Sequence, residues 1–129
     1  MPFPDMMSVL VDRGVSIRII HAELPSAPFR QRYDRIDVKG RLSSSVEFLY
    51  CPRMHAKLFI VDGVYTLTGS SNLTGAGMGA KSGKKRNFEV GILYETVEET
   101  KPFVEYFDNI WMGGHCRECG RRDICPGPL

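Results

Sequence analysis

Apolar residues recur along the chain with two different periods, and these periods separate predicted helices from predicted strands. Met6, Val9 and Leu10 follow helical spacing, which predicts a helix near the start of the chain. Asp5 is suited to cap this helix, and Gly14 is suited to end it. The predicted helices span residues 6–13, 29–36 and 102–112, and the predicted strands span residues 15–20, 46–50, 55–61, 64–68 and 88–94. This order of elements predicts an α/β fold with a mixed β-sheet flanked by helices.

The last predicted helix begins at a proline and carries an aromatic stripe. Pro102 is placed in the first turn, where the missing N–H group costs no hydrogen bond. Phe103, Phe107 and Trp111 recur at helical spacing behind it. Such a stripe is more typical of core packing than of a binding surface.

The composition is ordinary for a globular protein, with 129 residues, 43% hydrophobic and 25% charged. This length suits one domain. No apolar run is long enough to cross a bilayer, and residues 1–7 lack the features of a secretory signal. We therefore expect a cytoplasmic protein. The net charge of +2 is too small to identify a polyanionic partner by itself.

The most informative segment combines a histidine, a lysine and a later polar turn. His55 and Lys57 stand two apart in a predicted strand, so their side chains should project from the same face. A predicted turn at Asp62 and Gly63 then returns the chain to the polar residues 69–72, Gly-Ser-Ser-Asn. Together these groups would form a pocket for a tetrahedral anion, which predicts phosphate chemistry.

The spacing H-x-K-x4-D-x6-G-S-x-N in residues 55–72 resembles the HKD signature of the phospholipase D superfamily. The resemblance implies that His55 attacks phosphorus and forms a phosphohistidine. Lys57 and Asn72 would then hold the non-bridging oxygens, and Ser70 would add a donor. No metal is required for this chemistry. Asp62 completes the motif, and we interpret it as a turn-forming residue that supports the site.

Glu89 follows the motif in the segment Asn87-Phe88-Glu89. The segment is similar to an Asn-x-Glu segment of the same superfamily, in which the glutamate orients a catalytic histidine. As a strand residue, Glu89 should face away from its apolar neighbours Phe88 and Val90. A solvent-facing glutamate without a catalytic role is the alternative interpretation.

The chemistry also needs a second histidine, to protonate the leaving oxygen and later to activate water. His21 and His115 remain, and neither lies in a second H-x-K motif. In the superfamily, small members bring two motifs together as dimers, so the resemblance implies a homodimer. The resemblance to the superfamily covers residues 6–112, and the first strand–helix–strand of the family's domain is missing from it. A trimmed domain, a fragment and a chain that needs a partner all stay open.

A compact basic run follows the motif and supplies a candidate surface for nucleic acid. Its members are Lys81, Lys84, Lys85 and Arg86. Such a run could hold a phosphodiester backbone, and a solvated loop is the alternative.

The cysteines predict a separate site in a Cys-rich tail, residues 113–129, behind a catalytic domain of residues 1–112. Cys116, Cys119 and Cys125 form a C-x2-C-x5-C cluster, and Cys51 is a distant fourth thiol. His115 is the alternative fourth ligand. In a reducing compartment this spacing indicates metal rather than a disulfide. The spacing resembles the iron–sulfur staple of some RecB-type and CRISPR-associated nucleases, so a structural 4Fe–4S cluster, zinc and free thiols stay open.

These features together predict a metal-independent phosphodiesterase that cleaves nucleic acid as a homodimer. A non-catalytic nucleic-acid-binding subunit, or a fragment of a larger nuclease, is one alternative. A phospholipid phosphodiesterase is another. The sequence does not distinguish DNA from RNA, and phosphate contacts alone would give no base preference.

Overall fold

The computed structural model of the protein describes residues 1–70, 85 and 87–127, and within them the chain forms three α-helices and five strands. The helices are α1 (Phe3–Asp12), α2 (Ala27–Ile36) and α3 (Val97–Trp111), and a 3-10 helix spans Val38–Gly40. The strands are β1 (Ile17–His21), β2 (Val46–Tyr50), β3 (Leu58–Val61), β4 (Tyr65–Gly69) and β5 (Gly91–Tyr94). The predicted α/β class is confirmed. Across the described residues, no helix is long and apolar enough to cross a membrane.

The chain divides into two compact units, which we call unit 1 (residues 1–54 and 118–127 of the described chain) and unit 2 (residues 55–117). In unit 1, β1 and β2 pair in parallel, with Ile17 opposite Val46 and His21 opposite Tyr50. Helices α1 and α2 contact each other in the same unit. Its buried apolar side chains include Met7, Leu42 and Val46, which are at most 4% exposed.

An ion pair joins α1 to α2 through Asp5, the residue that was predicted to cap α1. The guanidinium of Arg32 donates to both carboxylate oxygens of Asp5, with Nε 3.0 Å from Oδ2 and Nη2 2.5 Å from Oδ1. This bond lowers the pKa of Asp5 below its usual range. The prediction that Asp5 caps α1 is wrong, because the helix begins at Phe3 behind Pro2 and leaves Asp5 inside its first turn.

Unit 2 is built on an antiparallel sheet in the order β3-β4-β5. Residues 62–64 join β3 to β4, and the φ values of Asp62 and Gly63, 58° and 67°, are both positive. Two such residues give the backbone twist of a tight hairpin turn, so the predicted turn is confirmed. The predicted starts of β3 and β5, at His55 and Phe88, are too early. The ladder with β4 begins at Leu58 and Gly91, because β4 itself ends at Gly69.

Helix α3 begins five residues before its predicted start, and Pro102 lies inside it rather than in its first turn. Thr96 caps the helix, because its hydroxyl oxygen accepts a hydrogen bond from the N–H of Glu99 at 3.1 Å. The Thr96 hydroxyl also lies 2.9 Å from the Glu99 carboxylate. A threonine followed three residues later by glutamate is a capping signal in the sequence, and it fixes the helix start ahead of the proline.

A pair of buried threonines connects α3 to the hairpin of unit 2. Thr66 of β4 and Thr100 of α3 are both fully buried. The Thr66 hydroxyl lies 2.9 Å from the Thr100 hydroxyl, which in turn donates to the carbonyl of Val64 at 2.7 Å. The chain of bonds satisfies both buried hydroxyls, and it fixes the position of β4 against the helix.

Replacing Thr100 with valine should lower the free energy of unfolding by about 1–3 kcal/mol, because the Thr66 hydroxyl and the Val64 carbonyl lose a buried partner. Urea denaturation would measure the loss. Thr100→Ser is the matched control, since it keeps the hydroxyl and removes a single methyl group. A valine variant as stable as the wild type would show that these hydrogen bonds do not hold α3 on the hairpin.

Candidate active site

His55 and Lys57 stand side by side at the start of unit 2. Lys57 Nζ lies 3.1 Å from His55 Nε2 and 2.7 Å from the His55 carbonyl oxygen. The predicted adjacency is confirmed, although both residues lie just before β3 rather than inside it. His55 is exposed and Lys57 is half-buried. The pair therefore presents a ring nitrogen and an ammonium group to solvent at one place.

Strand β4 holds the backbone of this pair through a threonine that sequence reasoning missed. The Thr68 hydroxyl donates to the carbonyl of Lys57 at 2.9 Å. Thr68 is also the ladder partner of Leu58, the residue after Lys57. The hairpin register explains this contact, because the connection of residues 62–64 pairs Val61 with Tyr65 and so brings residues 58 and 68 opposite each other.

Ser70 joins the end of β4 to the segment before β5. Its N–H donates to the Val90 carbonyl at 3.0 Å, and its hydroxyl oxygen accepts from the Val90 N–H at 3.0 Å. Glu89 precedes Val90, is exposed, and makes no hydrogen bond or ion pair with another described residue. In this arrangement the Ser70 hydroxyl has a structural partner. The role of Ser70 as a phosphate donor and of Glu89 as an orienting group stay predictions.

Gly69 is required by the close approach of the same two segments. A β-carbon at Gly69 would lie 2.3 Å from the Val90 carbonyl oxygen and 2.5 Å from the Gly91 α-carbon. Both are backbone atoms, which cannot move aside as a flexible side chain can. The glycine of the motif thus permits the backbone contact that the adjacent serine completes.

The remaining residues of the predicted site have different outcomes. Asp62 lies in the hairpin turn directly after β3, whereas Lys57 lies directly before that strand. An extended chain of this length separates the two residues by roughly 16 Å. This place fits the predicted turn-forming role. Lys85 is exposed in a turn. Asn72, Lys81, Lys84 and Arg86 lie outside the described residues.

The other two histidines have hydrogen-bond partners elsewhere. His21 Nδ1 lies 2.8 Å from the Glu23 carbonyl oxygen in unit 1. His115 Nε2 lies 2.9 Å from the side-chain nitrogen of Asn109 in unit 2. In each of these histidines, one ring nitrogen is therefore occupied by a hydrogen bond within its own unit.

The four cysteines are half-buried and form no disulfide, and Cys51, Cys119 and Cys125 all belong to unit 1. The N–H of Arg121 lies 3.4 Å from Cys119 Sγ. This backbone hydrogen bond, together with the nearby Arg53, lowers the pKa of the Cys119 thiol. Within residues 1–70, 85 and 87–127, no three His, Cys, Asp or Glu side chains lie close enough to hold a metal ion.

A protein-family model described as "Cardiolipin synthase, PLD-like domain" matches residues 3–111. The matched range begins with α1 and ends at the last residue of α3, and it includes His55 and Lys57. No curated protein matches the chain.

Substituting Gly69 with alanine should reduce the free energy of unfolding by at least about 2 kcal/mol, because the new methyl group collides with backbone atoms. Gly91→Ala is the matched control on the neighbouring strand, since its β-carbon would lie 3.2 Å from the nearest atom, the Thr68 carbonyl oxygen. Thermal and urea unfolding would compare the two. Equal losses would contradict a special requirement at Gly69.

Proposed function

The chain belongs to the family described as cardiolipin synthase, PLD-like domain, whose members are in general phosphodiesterases, and we propose that it hydrolyses phosphodiester bonds of nucleic acid. The observation that carries the proposal is the distance of 3.1 Å between Lys57 Nζ and His55 Nε2 on an exposed segment. It places a nucleophile beside a fixed positive charge. Both groups can contact a phosphate without a metal ion.

The hydrogen bond itself indicates how His55 begins the reaction. Lysine has no acceptor, so Lys57 donates to Nε2, and that ring nitrogen carries a lone pair rather than a proton. When a phosphodiester arrives, the ammonium group transfers its hydrogen bond to a non-bridging oxygen. Nε2 then attacks phosphorus, a P–N bond forms, and the P–O bond to the leaving group breaks. Lys57 stabilises the charge that develops on the oxygens.

The leaving oxygen needs a proton, and we assign it to the partner subunit's His55 in a homodimer. The same ring then accepts a proton from water, which attacks phosphorus, breaks the P–N bond and releases His55. Two-fold symmetry would make the two histidines equivalent in sequence and opposite in role. PLD-like domains often act as dimers. An active monomer would contradict this assignment.

A nucleic-acid substrate is supported by the basic run that includes Lys85, since phosphate contacts from lysine and arginine dominate affinity for nucleic acid. A phospholipid substrate is the second candidate, and the description of the matched family favours it. The third candidate, a nucleic-acid-binding subunit without activity, differs because binding would survive the loss of His55.

The function is tested by incubating labelled single- and double-stranded DNA and RNA, and phospholipid vesicles, with the protein in EDTA. We expect nucleic-acid cleavage that falls at least about 10³-fold in His55→Ala, which lacks the nucleophile. Lys57→Met should also lose activity, whereas Lys101→Met, at an exposed lysine of α3, should not. Cleavage of phospholipid alone would establish the second candidate. Binding without cleavage in both the wild type and His55→Ala would establish the third.

We also propose that the cysteines bind a structural metal, as zinc or a 4Fe–4S cluster. The proposal is supported by their spacing and by the presence of Cys51, Cys119 and Cys125 in one compact unit. Arg53, two residues after Cys51, contributes to the lowered pKa of the Cys119 thiol and so lies near the tail. Among the described residues, the thiols do not lie close enough together to hold a metal ion. Binding therefore requires them to move together, as is usual when metal binding is coupled to folding. From the sequence, Cys116, Cys119 and Cys125 supply three ligands, and Cys51 supplies the fourth, with His115 as the alternative.

Metal analysis of protein purified without oxygen tests this second proposal. The wild type should contain about one zinc ion or one iron–sulfur cluster per chain. Cys51→Ser should lose most of it, and His115→Gln should retain it if Cys51 completes the site. Absence of zinc and iron from the wild type would refute the proposal. Unchanged content in Cys51→Ser would exclude Cys51 as a ligand.

A further inference from the structure

Unit 1 contains a cavity of about 260 Å³ that the phosphate chemistry does not use. Its walls come from the end of β1, from β2 and from one face of α2. The side chains that matter are two phenylalanines, a tyrosine and a histidine, with one cation and one carboxylate. They are His21, Phe29, Arg30, Tyr33, Asp34 and Phe48. We call this the aromatic cavity.

The rings of the aromatic cavity are arranged in two nearly perpendicular orientations. Phe29 and Tyr33 are stacked, with their planes 12° apart and centroids 6.2 Å apart. Phe48 meets Tyr33 edge-on at 5.8 Å and 75°. His21 meets Phe48 edge-on at 6.0 Å and 81°. A flat ring that enters the cavity therefore finds both ring faces and ring edges.

Local contacts hold the rings in place before any ligand binds. The His21 ring is held at the Glu23 carbonyl. Tyr33 packs against the rings of Phe29 and Phe48, and partial burial raises the pKa of its hydroxyl, which stays neutral. Yet Phe48 keeps 39% of its surface exposed, whereas the apolar core of the unit is completed elsewhere by Met7, Leu42 and Val46. Ordered rings that face solvent suit a binding site better than a core.

Two charged groups on α2 complete the aromatic cavity. Arg30 and Asp34 stand one turn apart, both exposed, and neither forms an ion pair with another described residue. By contrast, Arg32 on the same helix is paired with Asp5. A cation and a carboxylate beside aromatic rings can hydrogen-bond the edge of a polar ring and contact a phosphate. An acyl chain would use neither.

From these contacts we propose that the aromatic cavity binds one nucleobase of a single-stranded nucleic acid, an inference that rests on the proposed nuclease function. Stacking on aromatic side chains is the general means by which proteins hold unpaired bases. The volume is below the roughly 300–1,000 Å³ of cavities for larger ligands, which suits one ring system. Arg30 would contact a neighbouring phosphate, and Asp34 would accept hydrogen bonds from base amino groups.

The test uses the full chain carrying His55→Ala, which keeps the substrate uncut, and a single-stranded oligonucleotide that contains 2-aminopurine. Stacking quenches the fluorescence of this base, so binding should lower the signal. Phe48→Leu should weaken binding by roughly 5- to 150-fold, the range observed for the loss of one stacked base. The matched control is Phe59→Leu in β3, where the wild-type ring is 37% exposed against 39% at Phe48.

An oligonucleotide with abasic positions separates base contacts from phosphate contacts. It should bind about as weakly to the parent as the intact strand binds to Phe48→Leu. Phe29→Leu is the second variant, used if circular dichroism shows that Phe48→Leu fails to fold. Equal affinities for Phe48→Leu and Phe59→Leu overturn the inference, as does equal binding of the abasic strand.

Two further outcomes separate this inference from the proposed function. Cleavage by the wild type, with binding unaffected by Phe48→Leu, would remove the cavity proposal and leave the nuclease. Base-dependent binding that Phe48→Leu weakens, without cleavage, would remove the nuclease and leave the cavity proposal. Loss of vesicle binding in Phe48→Leu, with oligonucleotide binding unchanged, would overturn the nucleobase assignment in favour of a lipid.

Discussion

The pairing of β4 with both of its neighbours is the constraint on which the candidate active site depends. The positive φ values of Asp62 and Gly63 set the hairpin register, and that register brings Thr68 to the Lys57 carbonyl. One residue further, Gly69 and Ser70 meet the backbone at Val90. A slip of one residue would turn every side chain of β4 to the other face. The geometry of the lysine and histidine thus depends on a turn at the far end of the hairpin.

Burial in unit 2 explains why this strand does not slip. One face of the sheet carries Thr66 against Thr100 of α3, and their hydroxyls have good partners only in this register. Leaving such groups unpaired costs more than the bonds gain, so the network discriminates strongly between registers. The opposite face of the same strand carries Tyr65 and Leu67, both nearly half exposed, and contributes little to that choice.

Local signals in the sequence predicted local features well and pairing limits poorly. The strand of residues 46–50, the turn at Asp62 and the contact between His55 and Lys57 depend on neighbours in sequence, and each was predictable. The starts of β3 and β5 were not, because the end of β4 decides how far a partner can pair. The start of α3 was available in the capping signal at Thr96. The aromatic cavity could not be predicted from the sequence, because its rings come from three elements that sequence spacing does not bring together.

Under the proposed function, we expect the two units to divide recognition in a way that follows from their chemistry. A site made of His55, Lys57 and backbone groups meets only phosphate, and phosphate contacts carry no information about base identity. Any preference among bases must therefore come from groups that contact ring faces and edges. In the described chain, those groups are concentrated where Phe48 and Tyr33 meet beside Asp34. If the protein distinguishes one nucleic acid from another, we expect unit 1 to supply the distinction and unit 2 to supply the reaction.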